Sequence, residues 1–304
     1  MEYRPTRADR APLPPVWASE PRYLGYREAD RAMPWAGFFR AATLPVQTHV
    51  VESLVAGPFP RELGYGLGDV VERLERPGYE PIETGWTSLD DGVVLVSVLT
   101  HMPRVTAAMW DWWFGWHGRE SSRYKLWHPT AHQFTAMGED RSADRTLSDR
   151  QRWFENVSYV DEYVGGSLQR LAIRFLDPGR LGFEDRPGHT CVCARVSLST
   201  RPIAIGWLVH QVRPTGDGSE MRSRFFLNDP AILPLPAHSL PPDVPSQLLA
   251  TDLGRGIVSP LVPRMVAQMI SPTLGPDMVH HCAAEMNHLA SFLPELHEEF
   301  RDTP

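Results

Sequence analysis

The chain has 304 residues, of which 42% are hydrophobic and 10% aromatic, enough to bury a globular core in one large domain or two smaller ones. Its formal net charge of −7, without a basic stripe, argues against a nucleic-acid partner. The longest apolar run, GVVLVSVL from Gly92, is too short to cross a bilayer, and no signal-like stretch follows the first charges, so we expect a cytoplasmic protein without a membrane partner.

Cysteine usage is sparse. The chain holds three cysteines, an odd number that does not describe a disulfide framework. Cys191 and Cys193, in HTCVCARV, fall on one face of a predicted strand and could in principle bind a metal together. Because no second cysteine pair exists, we interpret them as small buried strand residues.

Composition changes along the chain. The first part is rich in Pro, Arg and Gly, shows short helical patterns and lacks sustained strand alternation. From about residue 83, TGWTSLDDGVVLVSVLTHM predicts a strand or hairpin, with a turn at Asp90, Asp91 and Gly92. We therefore predict a small, partly helical N-terminal domain over residues 1–78 and a second domain over residues 79–304.

The second domain alternates between strand and helix patterns. PRVTAAMWDWWFGW predicts an aromatic helix from about Pro103 to Trp116. Strand-like runs with Gly, Pro and Asp turns follow: FENVSYVDEYVGG, SLQRLAIRFL, HTCVCARVSLS, IAIGWLVHQVRP and SEMRSRFFLND. NDPAILPLPAHSLPPDVPSQLL is proline-rich and predicts a long loop, whereas GPDMVHHCAAEMNHLASFLPEL predicts a long amphipathic helix that Pro294 bends or ends.

This order of elements suits one architecture. It predicts an α+β fold in which an antiparallel sheet wraps around the long C-terminal helix, an arrangement called helix-grip. Such a fold leaves a cavity between sheet and helix. A polar side chain on the inward face of that helix would therefore face the cavity.

Glu285 occupies an unusual place on the C-terminal helix. At 100° per residue it falls on the same stripe as the apolar Met278, Cys282 and Leu289. A buried carboxylate costs several kcal/mol unless an arginine or a metal compensates its charge. His281 lies four residues earlier, so both side chains can reach one point beside the helix.

Further candidates lie outside that helix. In YKLWHPTAH, Pro129 restricts His128 to extended backbone and fixes its direction, and His132 is the nearby alternative. Along VSYVDEYVGG, Glu162 shares the face of two valines, so it is an acid that faces a core. Two histidines and two carboxylates fit Zn²⁺, and would also suit Mn²⁺ or Fe²⁺. His210 shares a strand face with Leu208, and as a non-ligand it could transfer protons near neutral pH.

Three of these motifs together carry a family resemblance. With YKLWHP, VDEYVGG and HHCAAEMNHL, the chain resembles the 2,4-diacetylphloroglucinol hydrolase family, relatives of phloretin hydrolase, over about residues 80–300. The resemblance implies a small N-terminal domain, a Bet v 1-like helix-grip catalytic domain with Zn²⁺ in its cavity, and a homodimer. It also implies hydrolysis of the carbon–carbon bond between an acyl group and a phenolic ring, with a small aromatic ketone as substrate.

The resemblance also assigns roles to residues. It implies His128, Glu162, His281 and Glu285 as metal ligands, with Glu155 and Asp161 as alternatives to Glu162. His210 becomes the catalytic pocket histidine. The predicted substrate-binding residues are Tyr124, Trp113, Trp127 and Phe225, with Trp110 as a further candidate for the apolar wall. Ala131 stands where the family has an asparagine, and Phe225 and Phe226 stand where a tyrosine is expected.

Two other functions compete with this prediction. The first is a non-catalytic carrier of hydrophobic ligands, in which the inward acids are neutralised by arginine; the candidates are Arg170, Arg174 and Arg195. The second is a metal-dependent hydrolase of β-diketones or esters. A bound metal separates both enzymes from the carrier, and activity on acylphloroglucinols separates the two enzymes.

Overall fold

The computed structural model describes residues 3–269 and 271–303. Its centre is an antiparallel sheet with the strand order β1-β2-β8-β7-β6-β5-β4-β3. The strands are β1 (Gly85–Ser88), β2 (Val94–Pro103), β3 (His132–Met137), β4 (Val157–Val164), β5 (Ser167–Leu176), β6 (Thr190–Leu198), β7 (Ile203–Pro214) and β8 (Gly218–Ile232). Strands β4 to β8 form a continuous meander, since each pairs with the next along the chain.

Helices lie before, between and after the strands. They are α1 (Pro15–Ser19), α2 (Glu28–Arg31), α3 (Thr48–Ala56), α4 (Val70–Glu75), α5 (Ala107–Trp116), α6 (Ser121–Trp127), α7 (Asp149–Trp153), α8 (Val244–Leu249), α9 (Asp252–Val258), α10 (Val262–Met269), α11 (Leu274–Ala290) and α12 (Leu293–Phe300). Among the described helices, none combines the length and the apolar character needed to span a membrane.

The hairpin prediction is confirmed and two element boundaries are corrected. The β1–β2 turn contains Gly92 at φ 84°, a conformation that glycine adopts without strain. Helix α5 begins at Ala107 rather than near Pro103, because the Thr106 side chain accepts a hydrogen bond from the third residue on and caps the helix. Strand β8 continues through the first residues of the predicted loop to Ile232, past a left-handed residue, Asn228 at φ 59°.

The helix-grip prediction is wrong, whereas the α+β class with an antiparallel sheet is confirmed. No single long C-terminal helix fills the sheet within the described residues: α11 ends at Ala290 and α12 begins at Leu293. Pro294 lies in the first turn of α12, where its missing N–H group and fixed φ are tolerated, so it starts a new helix instead of continuing the old one. Helix α11 contacts β1, β2 and β4, while α5 contacts β6 and β7 and α10 contacts β8. The sheet is therefore covered by several helices.

The N-terminal segment packs on the rest of the chain at both faces of the sheet. Trp35 and Val50 belong to the same hydrophobic cluster as α5 and α11. On the opposite face, Ala8 packs in a cluster with strands β3 to β5. The buried carboxylate of Asp9 pairs there with Arg174. These contacts explain why both faces of β4 are buried; the predicted boundary at residue 78 stays a prediction.

Candidate metal centre

A cavity of about 160 Å³ lies between the sheet and helices α5, α6, α10 and α11. Most of its wall is apolar and comes from alternating positions of the strands, including Val160, Leu171, Phe175, Val196, Leu208 and Phe225. Glu162 and Val164 share the cavity face with Val160, as the alternation predicts. An apolar cavity with a few convergent polar groups is the usual form of a small-molecule site.

Four polar side chains converge beside this cavity. Ligand atoms of His132, Glu162 and His281 all lie within 4.8 Å of one another. The Nε2 atom of His132 lies 3.6 Å from Oε2 of Glu162 and 3.4 Å from Oε2 of Glu285. The same Glu285 oxygen lies 3.8 Å from Nε2 of His281. Two imidazoles and two carboxylates thus point at one small volume.

The orientation of His132 is fixed by its neighbours. Its Nδ1 atom lies 3.0 Å from the carbonyl oxygen of Tyr124, and since a carbonyl only accepts, Nδ1 carries the proton. The Tyr124 ring stacks on the imidazole with 3.8 Å between centroids and 5° between planes. The Tyr124 hydroxyl donates a hydrogen bond to the Glu162 carboxylate. Partners of this kind set the tautomer and direction of metal-ligating histidines.

The surroundings of the His132 Nε2 atom show whether a cation fits this site. His132 is fully buried, and its Nε2 atom has no hydrogen-bond partner in the described part of the chain. A buried acceptor without a partner carries a desolvation cost that a bound ligand removes. With carboxylates of Glu162 and Glu285 beside this lone pair, the donor set fits a divalent cation such as Zn²⁺.

The pKa values of these converging side chains also favour a bound cation. Burial raises the pKa of Glu285 to about 8, and the neighbouring Glu162 adds to the rise while His281 opposes it. Burial lowers the pKa of His132 and of His281 to about 4. At neutral pH both imidazoles are therefore uncharged and free to donate lone pairs, while Glu285 holds a proton that a cation would displace.

The structure brings together three of the four predicted ligands and adds the alternative histidine. Glu162, His281 and Glu285 meet as described above, and His132 completes the group. His128 lies outside it: its ring stacks on His281 at 5.1 Å between centroids, and its Nδ1 lies 3.4 Å from the Thr130 hydroxyl. The two histidines are one turn apart, and the Tyr124 carbonyl holds only one of them.

The other predicted alternatives have their own partners. Asp161, on the opposite face of β4, pairs with Arg22 at 3.3 Å. Glu155 pairs with Arg180 near the surface at 2.5 Å. The arginines expected for a carrier are likewise engaged elsewhere: Arg170 lies 3.8 Å from Asp161, Arg174 pairs with Asp9, and Arg195 lies 2.7 Å from Asp229. None of these arginines pairs with Glu162 or Glu285.

The predicted substrate-binding and catalytic residues divide between the cavity wall and the layer behind it. Tyr124, Trp127, His210 and Phe225 line the cavity. His210 holds its Nδ1 atom 2.8 Å from the Ser223 hydroxyl, and burial lowers its pKa to about 3. Trp113 is buried behind the wall and is absent from the lining.

His117 lines the cavity and was not singled out from the sequence. Its Nδ1 atom lies 2.8 Å from the carbonyl oxygen of Trp113. Burial lowers its pKa to about 3, so the ring is neutral at physiological pH. The only sequence signal was its place one turn after Trp113, at the end of the aromatic helix.

Comparison with known proteins agrees with the motifs. A family model described as "DAPG hydrolase PhiG domain" matches residues 67–298. The chain is 31% identical over 287 residues to a 2,4-diacetylphloroglucinol hydrolase of Pseudomonas protegens, covering 91% of this chain and 88% of the relative. A second such hydrolase, from a Pseudomonas species, is 30% identical over 287 residues, covering 91% of this chain and 92% of the relative.

A phloretin hydrolase of Eubacterium ramulus is 26% identical over 283 residues, covering 92% of this chain and 95% of that protein. All three relatives are hydrolases by name, two of 2,4-diacetylphloroglucinol and one of phloretin. The chain belongs to the 2,4-diacetylphloroglucinol hydrolase family, as its three motifs predicted.

Proposed function

We propose that this protein is a zinc-dependent hydrolase that cleaves the carbon–carbon bond between an acyl group and a polyhydroxylated aromatic ring. Water supplies a hydroxyl to the acyl carbon and a proton to the ring carbon, so the products are a carboxylic acid and the deacylated phenol. The observation that supports this most is the buried, partnerless Nε2 of His132 beside two carboxylates. The names of the relatives supply the substrate class.

His132, Glu162, His281 and Glu285 would hold the metal, with His132 in the position that the sequence assigned to His128. When bound, zinc supplies Lewis acidity toward a carbonyl and a water molecule. Tyr124 keeps Glu162 and His132 in place, since its hydroxyl donates to the carboxylate and its ring stacks on the imidazole. These two proposed ligands are therefore held in orientation before a metal binds.

The cavity wall would bind the ring and move the proton. Trp127 and Phe225 offer apolar aromatic surfaces, which exclude water and hold a flat ring. His210 packs edge-on against Phe225, with 5.4 Å between ring centroids. Because the Ser223 hydroxyl engages Nδ1 of His210, Nε2 is the nitrogen left to pass a proton to the departing ring carbon.

The test combines metal analysis with product analysis. Purified protein is assayed by mass spectrometry for metal and by chromatography for hydrolysis of 2,4-diacetylphloroglucinol, monoacetylphloroglucinol and phloretin. Glu285→Gln, prepared identically, is expected to lose both metal and activity, while Glu298→Gln, an exposed glutamate on α12, keeps both. Metal-loaded protein that hydrolyses none of the three ketones would refute the proposed function. Folded, active protein without metal would refute its zinc dependence.

The metal identity, the homodimer and the cytoplasmic location remain predictions. Size-exclusion chromatography with light scattering tests the dimer, because a mass near 34.3 kDa would indicate a monomer.

A further inference from the structure

His117 lines the cavity and has one ring nitrogen that can accept a hydrogen bond. Since the Trp113 carbonyl oxygen can only accept, Nδ1 of His117 carries the ring proton and Nε2 carries a lone pair. The side chain lines the cavity and is only 3% exposed. Within residues 3–269 and 271–303, the hydrogen bond described for the His117 ring is the one that Nδ1 donates to Trp113. Because Nδ1 is engaged and the side chain lines the cavity, Nε2 is the ring nitrogen that can accept a hydrogen bond from a ligand there.

Stacked rings fix where this acceptor lies relative to the metal centre. His117 stacks between Trp113, at 4.9 Å and 17°, and Tyr124, at 5.8 Å and 24°. Tyr124 in turn stacks on the ligand His132. The His117 ring is therefore held from both sides, and the Tyr124 ring lies between it and His132. A substrate with its acyl carbonyl at the metal centre and its ring along the wall that Tyr124 and His117 share would bring the far end of the ring to His117.

We propose that His117 accepts a hydrogen bond from the ring hydroxyl opposite the acyl group, and so selects para-hydroxylated acyl aromatics. The proposal rests on the proposed function, which places the acyl carbonyl at the metal centre. Tyr124 cannot serve this hydroxyl in the same way, because its own hydroxyl is engaged by Glu162. A neutral imidazole nitrogen is a good acceptor for a phenolic O–H group. His117 would thus be a specificity-determining residue that touches the substrate but no reacting atom.

The experiment compares two ketones that differ only in that hydroxyl. The enzyme hydrolyses 2,4,6-trihydroxyacetophenone, and 2,6-dihydroxyacetophenone is added as an inhibitor, so its affinity is obtained whether or not it reacts. Wild type is compared with His117→Phe, which keeps the aromatic stack but lacks the acceptor, and with His117→Gln, whose amide oxygen restores one. His288→Phe is the matched control, since that buried histidine lies outside the cavity lining and accepts from the Leu44 N–H group at 3.3 Å.

We expect His117→Phe to raise KM for the trihydroxy ketone roughly three- to tenfold, the range for one lost neutral hydrogen bond. Its inhibition constant for the dihydroxy ketone should stay within about twofold, and His117→Gln should recover part of the loss. Equal losses for both ketones would assign His117 a purely structural role and overturn the proposal. Unchanged constants for both ketones would also overturn it. Metal content and melting temperature are measured for every variant, so that a folding defect is recognised.

A second readout separates this inference from the proposed function. Trp127 lines the cavity, so quenching of tryptophan fluorescence reports binding of either ketone without turnover. If metal-loaded wild type hydrolyses none of the ketones tested, the proposed function fails, and the titration still decides the role of His117. Tighter binding of the trihydroxy ketone by wild type, with the preference lost in His117→Phe, supports the inference. The same preference in both proteins refutes it.

Discussion

Replacing His132 by alanine, with His128→Ala as the matched control, tests which histidine binds the metal. The two residues are one turn apart, and both are buried and lie beside His281. Only His132 directs a partnerless nitrogen at both Glu162 and Glu285. We therefore expect His132→Ala to lose the metal and His128→Ala to retain it.

The expected magnitude follows from linkage. Losing a residue that hydrogen-bonds to a metal ligand lowers metal affinity about 10–100-fold. Losing the ligand itself should therefore lower the affinity at least about 100-fold. At a free-metal concentration of 100 times the Kd, the bound ion adds about 2.7 kcal/mol to the free energy of unfolding. At about 2.1 cal/mol/K per residue, 304 residues give an unfolding entropy of about 0.64 kcal/mol/K. The lost binding therefore lowers Tm by about 4 °C relative to metal-loaded wild type.

Two assays check this prediction. Competition with a chromophoric zinc chelator gives the affinity, and thermal unfolding with and without chelator gives the contribution of the metal to Tm. His128→Ala should keep a chelator-sensitive Tm like that of wild type. If His128→Ala abolished the chelator effect while His132→Ala preserved it, the geometric argument would be refuted and the ligand first predicted from the sequence would be the right one.

Three further predictions concern charge and packing. Burial raises the pKa of Glu285 to about 8, so below that pH metal uptake must displace its proton. Wild-type affinity should rise about tenfold per pH unit from about pH 6 to 8 and level off above it, with about one proton released per metal below pH 8, as measured by calorimetry in buffers of different ionisation enthalpy. Asp9→Asn leaves the buried guanidinium of Arg174 without its carboxylate, and we expect a loss of about 3–5 kcal/mol in denaturant unfolding. Gly275→Ala would place a β-carbon 2.4 Å from an indole carbon of Trp86 and should lower the free energy of unfolding by about 1–3 kcal/mol. Gly256→Ala, whose β-carbon would meet nothing within 4 Å, should raise it by about 0.5–1 kcal/mol in the same assay.

Each of these predictions has an outcome that contradicts it. A wild-type metal affinity that does not change with pH would mean that Glu285 is ionised before the metal arrives. Asp90→Asn removes an exposed partner of Arg61 and is the control for Asp9→Asn; equal effects of the two changes would show that burial does not decide the cost. A Gly275→Ala protein as stable as wild type would mean that α11 can shift away from β1 without cost.

Three residues of the candidate metal centre were predictable because each lies on an element with a clear period. Glu162 faces the cavity because side chains alternate along a strand, and His281 and Glu285 share a helix face because they are four residues apart. The choice between His128 and His132 has no such rule. It depends on the carbonyl oxygen of Tyr124, which holds one imidazole through a contact between the last turn of α6 and the first residue of β3.

The fold class was predictable from the sequence, whereas the packing of the helices on the sheet was not. Amphipathic periodicity shows that α11 buries one face, and it does not show what that face packs against. Helices α5, α10 and α11 all pack on the sheet, and α11 is separated from α12 by Ser291 and Phe292. Pro294 marked the break in the sequence, but the helices that divide the sheet among them come from distant parts of the chain.

Tyr124 links the two halves of the proposed site, which affects how variants there are interpreted. Its ring lies between His132, a proposed ligand, and His117, a proposed contact of the substrate. Its hydroxyl donates to Glu162, a second proposed ligand. A change at Tyr124 therefore alters metal affinity and substrate position together, and a loss of activity cannot be divided between them without a metal measurement on the same protein. His117→Phe does not share this ambiguity, because His117 contacts no ligand carboxylate and is one ring further from the metal centre.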